Sequence, residues 1–188
     1  MSENRRREFG CRGYSRIMTS QLIGPMPPAQ LRRLESPIGR IELTGDGTAV
    51  TSLTIERAGH LPLEEFPEAS DDVLDRAAVE LDEYFAGSRT TFDVPVAVTG
   101  TEFQRAVWAE LAALAFGEVT SYGELGRATG RPTAGRAVGG AVGANPVPII
   151  IPCHRVLASN QRITGYSGGN GIPTKVWLLD HEGIVHVS

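Results

Sequence analysis

The 188 residues, 41% hydrophobic and 21% charged with a formal net charge of -4, suffice for one globular domain or two small ones, and exclude a repeat array or a mainly disordered chain. No run of about 18 apolar residues is present and the N-terminus lacks an apolar signal core, so a cytoplasmic protein without a membrane span is expected. The two cysteines, Cys11 and Cys153, are far apart and too few for a disulfide framework or a usual structural zinc site.

The charge is uneven. Residues 1–33 hold seven Arg against Glu3 and Glu8, residues 34–99 hold four Arg against fourteen acids, and residues 100–188 are nearly balanced. Within 121–165, Arg127, Arg131, Arg136, Arg155 and Arg162 face Glu124 alone, a local basic patch that the overall acidity masks. All the basic residues but Lys175 are Arg, which suits phosphate recognition and is explained as readily by codon bias.

Residues 1–33, with Arg5-Arg6-Arg7, scattered Gly and Ser, and Pro25, Pro27 and Pro28, read as a flexible Arg-rich extension. From Leu34 to Ile55 apolar residues alternate around a Gly45-Asp46-Gly47 turn, which predicts two or three antiparallel strands. After Ser70, the stripe Val73, Leu74, Ala77, Ala78, Leu81 and Phe85 predicts a helix closed by Gly87, and Phe92, Val94, Val96 and Val98 alternate like a strand. Residues 34–98 thus form a scaffold domain with an acidic face. A second domain, 99–188, opens with the capping-box pattern Thr101 to Gln104 and a helix through Phe103, Val107, Leu111 and Leu114. Ser121 to Glu124 is another capping box, opening a short helix that stops at Gly130; after a turn of about three residues, Pro132-Thr133 begins a third helix reaching about Gly143. Helix, short turn, helix is the outline of a helix-turn-helix.

In that third helix Ala134, Val138, Ala141 and Val142 form an inward stripe, while Arg136, Gly140 and Gly143 share the other side. Gly139, Gly140 and Gly143 each cost roughly 1 kcal/mol of helix stability relative to Ala. Close approach of a DNA groove would offset this, and so would tight packing against a neighbouring helix. The following segment, Asn145 to Val156, contains Ile149-Ile150-Ile151, which reads as a buried strand core ended by Pro152, and then Cys153-His154-Arg155. A free Cys has a pKa of about 8.5 and needs an imidazole or a positive charge to become a nucleophile at neutral pH. Sequence adjacency alone does not bring His154 onto Cys153.

Pro152-Cys153-His154-Arg155-Val156, Gly135-Arg136-Ala137-Val138-Gly139-Gly140-Ala141 with Asn145-Pro146, Ser121-Tyr122, and Tyr166-Ser167-Gly168-Gly169 together resemble the O6-alkylguanine-DNA alkyltransferases, the methylated-DNA–protein-cysteine methyltransferases. The resemblance is dense over 99–183 and loose over 34–98. It implies an α+β two-domain fold: an N-terminal ribonuclease-H-like antiparallel sheet with a helix, and a C-terminal winged-helix-like helix-turn-helix domain. It also implies irreversible, single-turnover repair in which Cys153 takes the alkyl group from O6-alkylguanine, or O4-alkylthymine, in double-stranded DNA, with no cofactor.

By the same resemblance, His154 polarises the thiol through a water and is paired with Glu182, and Tyr122 donates toward N3 of the guanine. The backbone N–H of Ser167 holds O6, and the carbonyls of Cys153 and Val156 accept from the exocyclic amine. Arg136 fills the stack left by the flipped base, the glycine-faced helix with Gly140 lies in the minor groove, and Asn145 is the turn residue between that helix and the active-site strand. Arg155 reads as structural, pairing with a backbone group or an acid, and its role is left open. Family members with an N-terminal zinc site use Cys and His ligands; only Cys11 and His60 are available here, so no metal is expected, and a monomer is. Residues 170–176 form a longer segment than the family spacing and are placed as a loop bordering the pocket. A damage sensor without chemistry would carry a non-nucleophilic residue at 153, and a cysteine hydrolase would leave Arg136 and the helix-turn-helix unused.

Overall fold

The alternation between Leu34 and Ile55 becomes a three-stranded antiparallel sheet in the computed structural model, which describes residues 28–187. Its strands are β1 (Gln30–Leu34), β2 (Ile41–Gly45) and β3 (Val50–Ile55), with Leu34 opposite Ile41 and Ile41 opposite Ile55. The sheet starts inside the stretch read as an extension. Leu31 is buried, and Arg33 satisfies the buried Glu42 carboxylate at 3.1 Å, so these residues are held by burial and charge pairing although they carry no clear period. Arg5-Arg6-Arg7 and Cys11 lie outside the described residues.

Helix α1 (Asp72–Phe85) packs across the sheet through Leu74, Ala77, Ala78, Leu81 and Tyr84. Asp71 is its cap, accepting from the Leu74 N–H at 2.8 Å. Residues 92–98 keep their alternating burial but form no regular strand. Only Val50 and Val96 make an isolated bridge there, because Pro95 lends its carbonyl to the Val50 N–H and has no N–H to continue a ladder.

Both capping boxes form, at Thr101 for α2 (Glu102–Ala112) and at Ser121 for α3 (Tyr122–Ala128). Helix α4 (Gly135–Gly143) starts later than its sequence suggests, so the turn after α3 has six residues rather than about three. Pro132-Thr133 lie in a turn closed by the Ala134 N–H on the Arg131 carbonyl at 3.1 Å. The indole N–H of Trp108 donates to the Ala141 carbonyl at 2.8 Å and locks α2 to α4.

The run Ile149-Ile150-Ile151 is not a strand. Ile149 and Ile151 are buried, but Ile149 sits at φ 75°, a conformation that costs a β-branched residue about 1–3 kcal/mol. A 3-10 turn, Cys153–Arg155, follows, and then β5 (Val156–Leu157), which pairs in parallel with β4 (Thr120–Ser121). That pairing sets the Cys153 turn beside the first residue of α3, Tyr122. Helix α5 (Ile172–His181) takes up most of the segment expected as a pocket loop. One buried cluster runs from the sheet and α1 through α2 and α4 to Cys153, so the two halves share a core.

The turn after α3 depends on Gly126. A Cβ there would lie 2.9 Å from the Arg131 carbonyl oxygen, whose own N–H closes onto the Gly126 carbonyl at 2.6 Å. Gly126→Ala is therefore expected to destabilise the protein by about 1–3 kcal/mol, read as a lower urea midpoint with unchanged slope.

Candidate active site

The backbone delivers Cys153 through a knot tied by Asn145. The Asn145 Nδ2 donates to the Ile151 carbonyl at 2.7 Å while its Oδ1 accepts from the Val147 N–H at 3.1 Å. With the Ile151 N–H on the Val147 carbonyl at 2.9 Å, these bonds hold Ile149 in its strained conformation and turn the chain from α4 into Cys153. Asn145 thus links the helix to an irregular turn, where a strand was expected.

His154 is fully buried, with Nε2 2.8 Å from Glu182 Oε1 and Nδ1 buried without a hydrogen-bond partner among the described residues. A carboxylate only accepts, so the proton belongs on Nε2 and the Nδ1 lone pair is free. Burial holds the imidazole below its ordinary pKa against the opposing pull of Glu182, so it is neutral at rest. Burial also pushes the Cys153 thiol up, against the contrary pulls of Asn145, Lys175 and Tyr166. The thiol is therefore a proton donor in need of a base, and its chain neighbour presents an empty basic nitrogen.

Glu182 gathers more donors than the resemblance implied. Besides His154 it accepts from Arg155 Nε at 2.7 Å and Nη2 at 2.9 Å, from the Tyr84 hydroxyl at 2.8 Å and from the Gly117 N–H at 3.3 Å. Burial opposes its ionisation, but the bonds from His154 and Arg155 outweigh that and hold the carboxyl well below the usual carboxylate range. This gives Arg155 its role: a buried, bidentate counter-ion to Glu182 that also donates to the Leu114 carbonyl. Four exposed Arg, 127, 131, 136 and 162, remain of the basic patch, and Arg131 lies 4.4 Å above the Phe103 ring.

Cys153 opens into a cavity of about 200 Å³ lined by Tyr122, Gly139, Val142, Gly143, Gly165, Tyr166 and Ser167. The Tyr122 hydroxyl accepts from Thr164 Oγ1 at 3.2 Å, and Ser167 Oγ donates to the Gly143 carbonyl at 3.0 Å. Tyr166 buries its hydroxyl against the Cys153 thiol, and that burial raises its pKa well above the ordinary value. Residues 170–176 do not line this cavity, because α5 begins at Ile172 and turns them away. On α4, Val138, Ala141 and Val142 are buried while Arg136 and Gly140 are exposed on the other face. A Cβ at Gly140 or Gly143 would meet nothing within 4 Å, so packing inside the chain does not account for these glycines.

Two residue models match the chain: "6-O-methylguanine DNA methyltransferase, ribonuclease-like domain" over residues 32–98 and "6-O-methylguanine DNA methyltransferase, DNA binding domain" over 102–184. The methylated-DNA–protein-cysteine methyltransferase of Mycobacterium tuberculosis is 41% identical over 151 residues, 80% of this chain and 90% of that protein. The chain belongs to the 6-O-methylguanine DNA methyltransferase family. A Haemophilus influenzae member, also called methylated-DNA–protein-cysteine methyltransferase, is 37% identical over 81% of this chain and 85% of its own length. A crystal structure of Mycobacterium tuberculosis OGT in complex with DNA matches with a TM-score of 0.71 and 41% identity, covering 81% of this chain and 92% of that one.

Lys175, to which the sequence assigned no role, also sits against the segment that follows the turn. It is 1% exposed, and its ammonium donates to the Val156 carbonyl at 2.6 Å and the Gly165 carbonyl at 3.3 Å, the second belonging to the cavity wall. Its being the one lysine was the only sequence signal. Tyr84 gave none, since a helical aromatic reads as core.

Burial lowers the Lys175 pKa to about 8 from its ordinary 10.5. Below pH 8 the amine is charged in both the folded and the unfolded chain; between 8 and 10.5 the unfolded chain binds more protons, so stability rises with pH across that window. The gain totals about 3 kcal/mol. Urea unfolding at pH 7.5 and pH 10 is expected to show stability rising in the wild type relative to Lys175→Met, the Cys153 and Tyr166 titrations that oppose it being common to both.

Proposed function

We propose that the chain repairs DNA by direct reversal, moving the alkyl group of O6-alkylguanine, or of O4-alkylthymine, onto its own Cys153 once per molecule. The observation that carries this is the unpartnered Nδ1 of a Glu182-held imidazole, adjacent in the chain to a thiol that opens into a cavity beneath the glycine face of α4.

His154 takes the Cys153 proton on Nδ1, directly or through a water, and Glu182 balances the imidazolium that results. The sulfur forms a bond to the alkyl carbon as the bond from that carbon to O6 breaks, and the electron pair passes into the guanine ring. Tyr122 donates toward N3 and the Ser167 N–H toward O6, so the base does not leave as a bare anion. Tyr122 then regains a proton from solvent, and His154 releases the one it took. The carbonyls of Cys153 and Val156 accept from the exocyclic amine. One lone pair on each is already used, by the Val156 N–H and by Lys175, and a second remains for the base. The product is a neutral thioether, a poor electrophile that the site has no means of cleaving, and no cofactor takes part.

The reacting base must leave the duplex, at a cost of a few kcal/mol. Helix α4 suits the minor groove because Gly140 and Gly143 leave its outer face smooth, and Arg136 is the exposed side chain on that face able to fill the vacated stack. The exposed Arg127, Arg131 and Arg162 supply the sequence-independent attraction to phosphates. All these groups come from one chain, in keeping with a monomer. No described helix is long and apolar enough to cross a membrane.

After incubation with duplex DNA containing O6-methylguanine, intact-protein mass spectrometry is expected to show one added methyl, mapped to Cys153, with none on Cys153→Ala and no second turnover. An unmodified wild-type protein would overturn the proposal. Arg136→Ala is expected to slow repair in duplex DNA by about tenfold or more, equivalent to about 1.4 kcal/mol, while transfer from a free alkylated base stays near the wild-type rate. Equal losses on both substrates would remove Arg136 from base flipping.

A further inference from the structure

We propose that Tyr84, in the N-terminal domain, is a positioning residue for alkyl transfer: its hydroxyl fixes and polarises the Glu182 oxygen that holds His154, so the domain outside the DNA-binding region takes part in the chemistry. The inference rests on the function proposed above and adds a residue to its relay.

The hydroxyl of Tyr84 donates to Glu182 Oε1 at 2.8 Å, across 98 residues of chain. That same oxygen accepts from His154 Nε2 at 2.8 Å and from Arg155 Nη2 at 2.9 Å. Tyr84 is fully buried, and burial first, then the Glu182 charge, raises its pKa, so it stays a phenol and a donor at any working pH. Its place is over-determined. The Tyr84 carbonyl is 2.7 Å from His181 Nε2, and its ring packs edge-on against His181 at 4.9 Å and Phe85 at 5.4 Å. A phenylalanine would satisfy this packing equally well, and only the hydroxyl reaches the carboxylate.

Three donors on one oxygen have a chemical consequence. Each draws negative charge toward itself, and what remains on Oε1 sets how strongly Glu182 favours the protonated form of His154. The charged and titratable groups facing His154 are Glu182 beyond α5, Lys175 on α5, and Arg155 and Cys153 on its own turn, while Tyr84 reaches it from α1 through Glu182. Glu182 would keep Arg155 and Gly117 without Tyr84, so it would stay ionised but less tightly fixed and more negative toward His154.

The test is Tyr84→Phe, with the single-turnover rate of methyl transfer to Cys153 followed from pH 5 to 9 on O6-methylguanine duplex DNA. Losing a donor to Glu182 raises the His154 pKa. The acid limb of the rate profile is expected to move to higher pH by about half a unit or more, with the rate at neutral pH falling about threefold or more and duplex DNA affinity unchanged. A role confined to packing would lower the unfolding midpoint and leave the limb in place, so superimposed limbs overturn the proposal even if the rate drops.

Should the variant fail to fold, proton NMR of the unreacted wild type decides the question. The Tyr84 hydroxyl proton, bonded to the shared oxygen, is expected to shift as His154 titrates, and an indifferent signal overturns the inference. That measurement needs no transfer, so a wild type that takes no methyl defeats the proposed function without deciding the place of Tyr84.

Discussion

The buried Glu182 carboxylate is the constraint on which the rest of the molecule depends. An anion at that depth is tolerated only with its lone pairs filled, and the chain fills them from three places: α1 through Tyr84, the loop after α2 through Gly117, and the 3-10 turn through His154 and Arg155. Removing one partner of such a pair leaves an uncompensated charge, which typically costs several kcal/mol. The domain interface, the orientation of the imidazole and the placement of the nucleophile are therefore solutions to a single electrostatic problem. His154 can have its acceptor nitrogen free because its other nitrogen is committed to Glu182.

The Cys153 turn carries the second cost. Ile149 is held at positive φ and His154 Nδ1 is left unsatisfied, both unfavourable in isolation. Asn145 on one side and the β4–β5 pairing on the other over-determine the path, so the strain persists beside Cys153. Helix α4 belongs to the same economy. Its glycines weaken the helix, and a Cβ at Gly140 or Gly143 would meet nothing within 4 Å among the described residues.

Much of the scaffold was legible because its signals are local. Both capping boxes, the stripe of α1 and the alternation of the sheet follow from periodicity and cap chemistry. The misreadings share one cause. Ile149-Ile150-Ile151 has the composition of a strand and Pro132-Thr133 that of a helix start, but in both places turn and side-chain hydrogen bonds across a few residues, together with proline geometry, override that preference. The extension likewise hid β1, whose order comes from Leu31 burial and the Arg33–Glu42 pair rather than from a pattern.

By itself, the sequence determined the family resemblance and the faces of α4, because motif identity and helical spacing are properties of neighbouring residues, and it singled out Cys153 as the expected nucleophile. It also revealed that a net charge of -4 conceals a basic stretch around the candidate site. Only the tertiary structure decided which partners the buried groups take: Arg155 on Glu182, Lys175 on the Val156 and Gly165 carbonyls, and Tyr84 on the oxygen that holds His154. The physical reason is that a buried charge must be satisfied by whatever donors folding brings within about 3 Å, and separation along the chain says nothing about that distance.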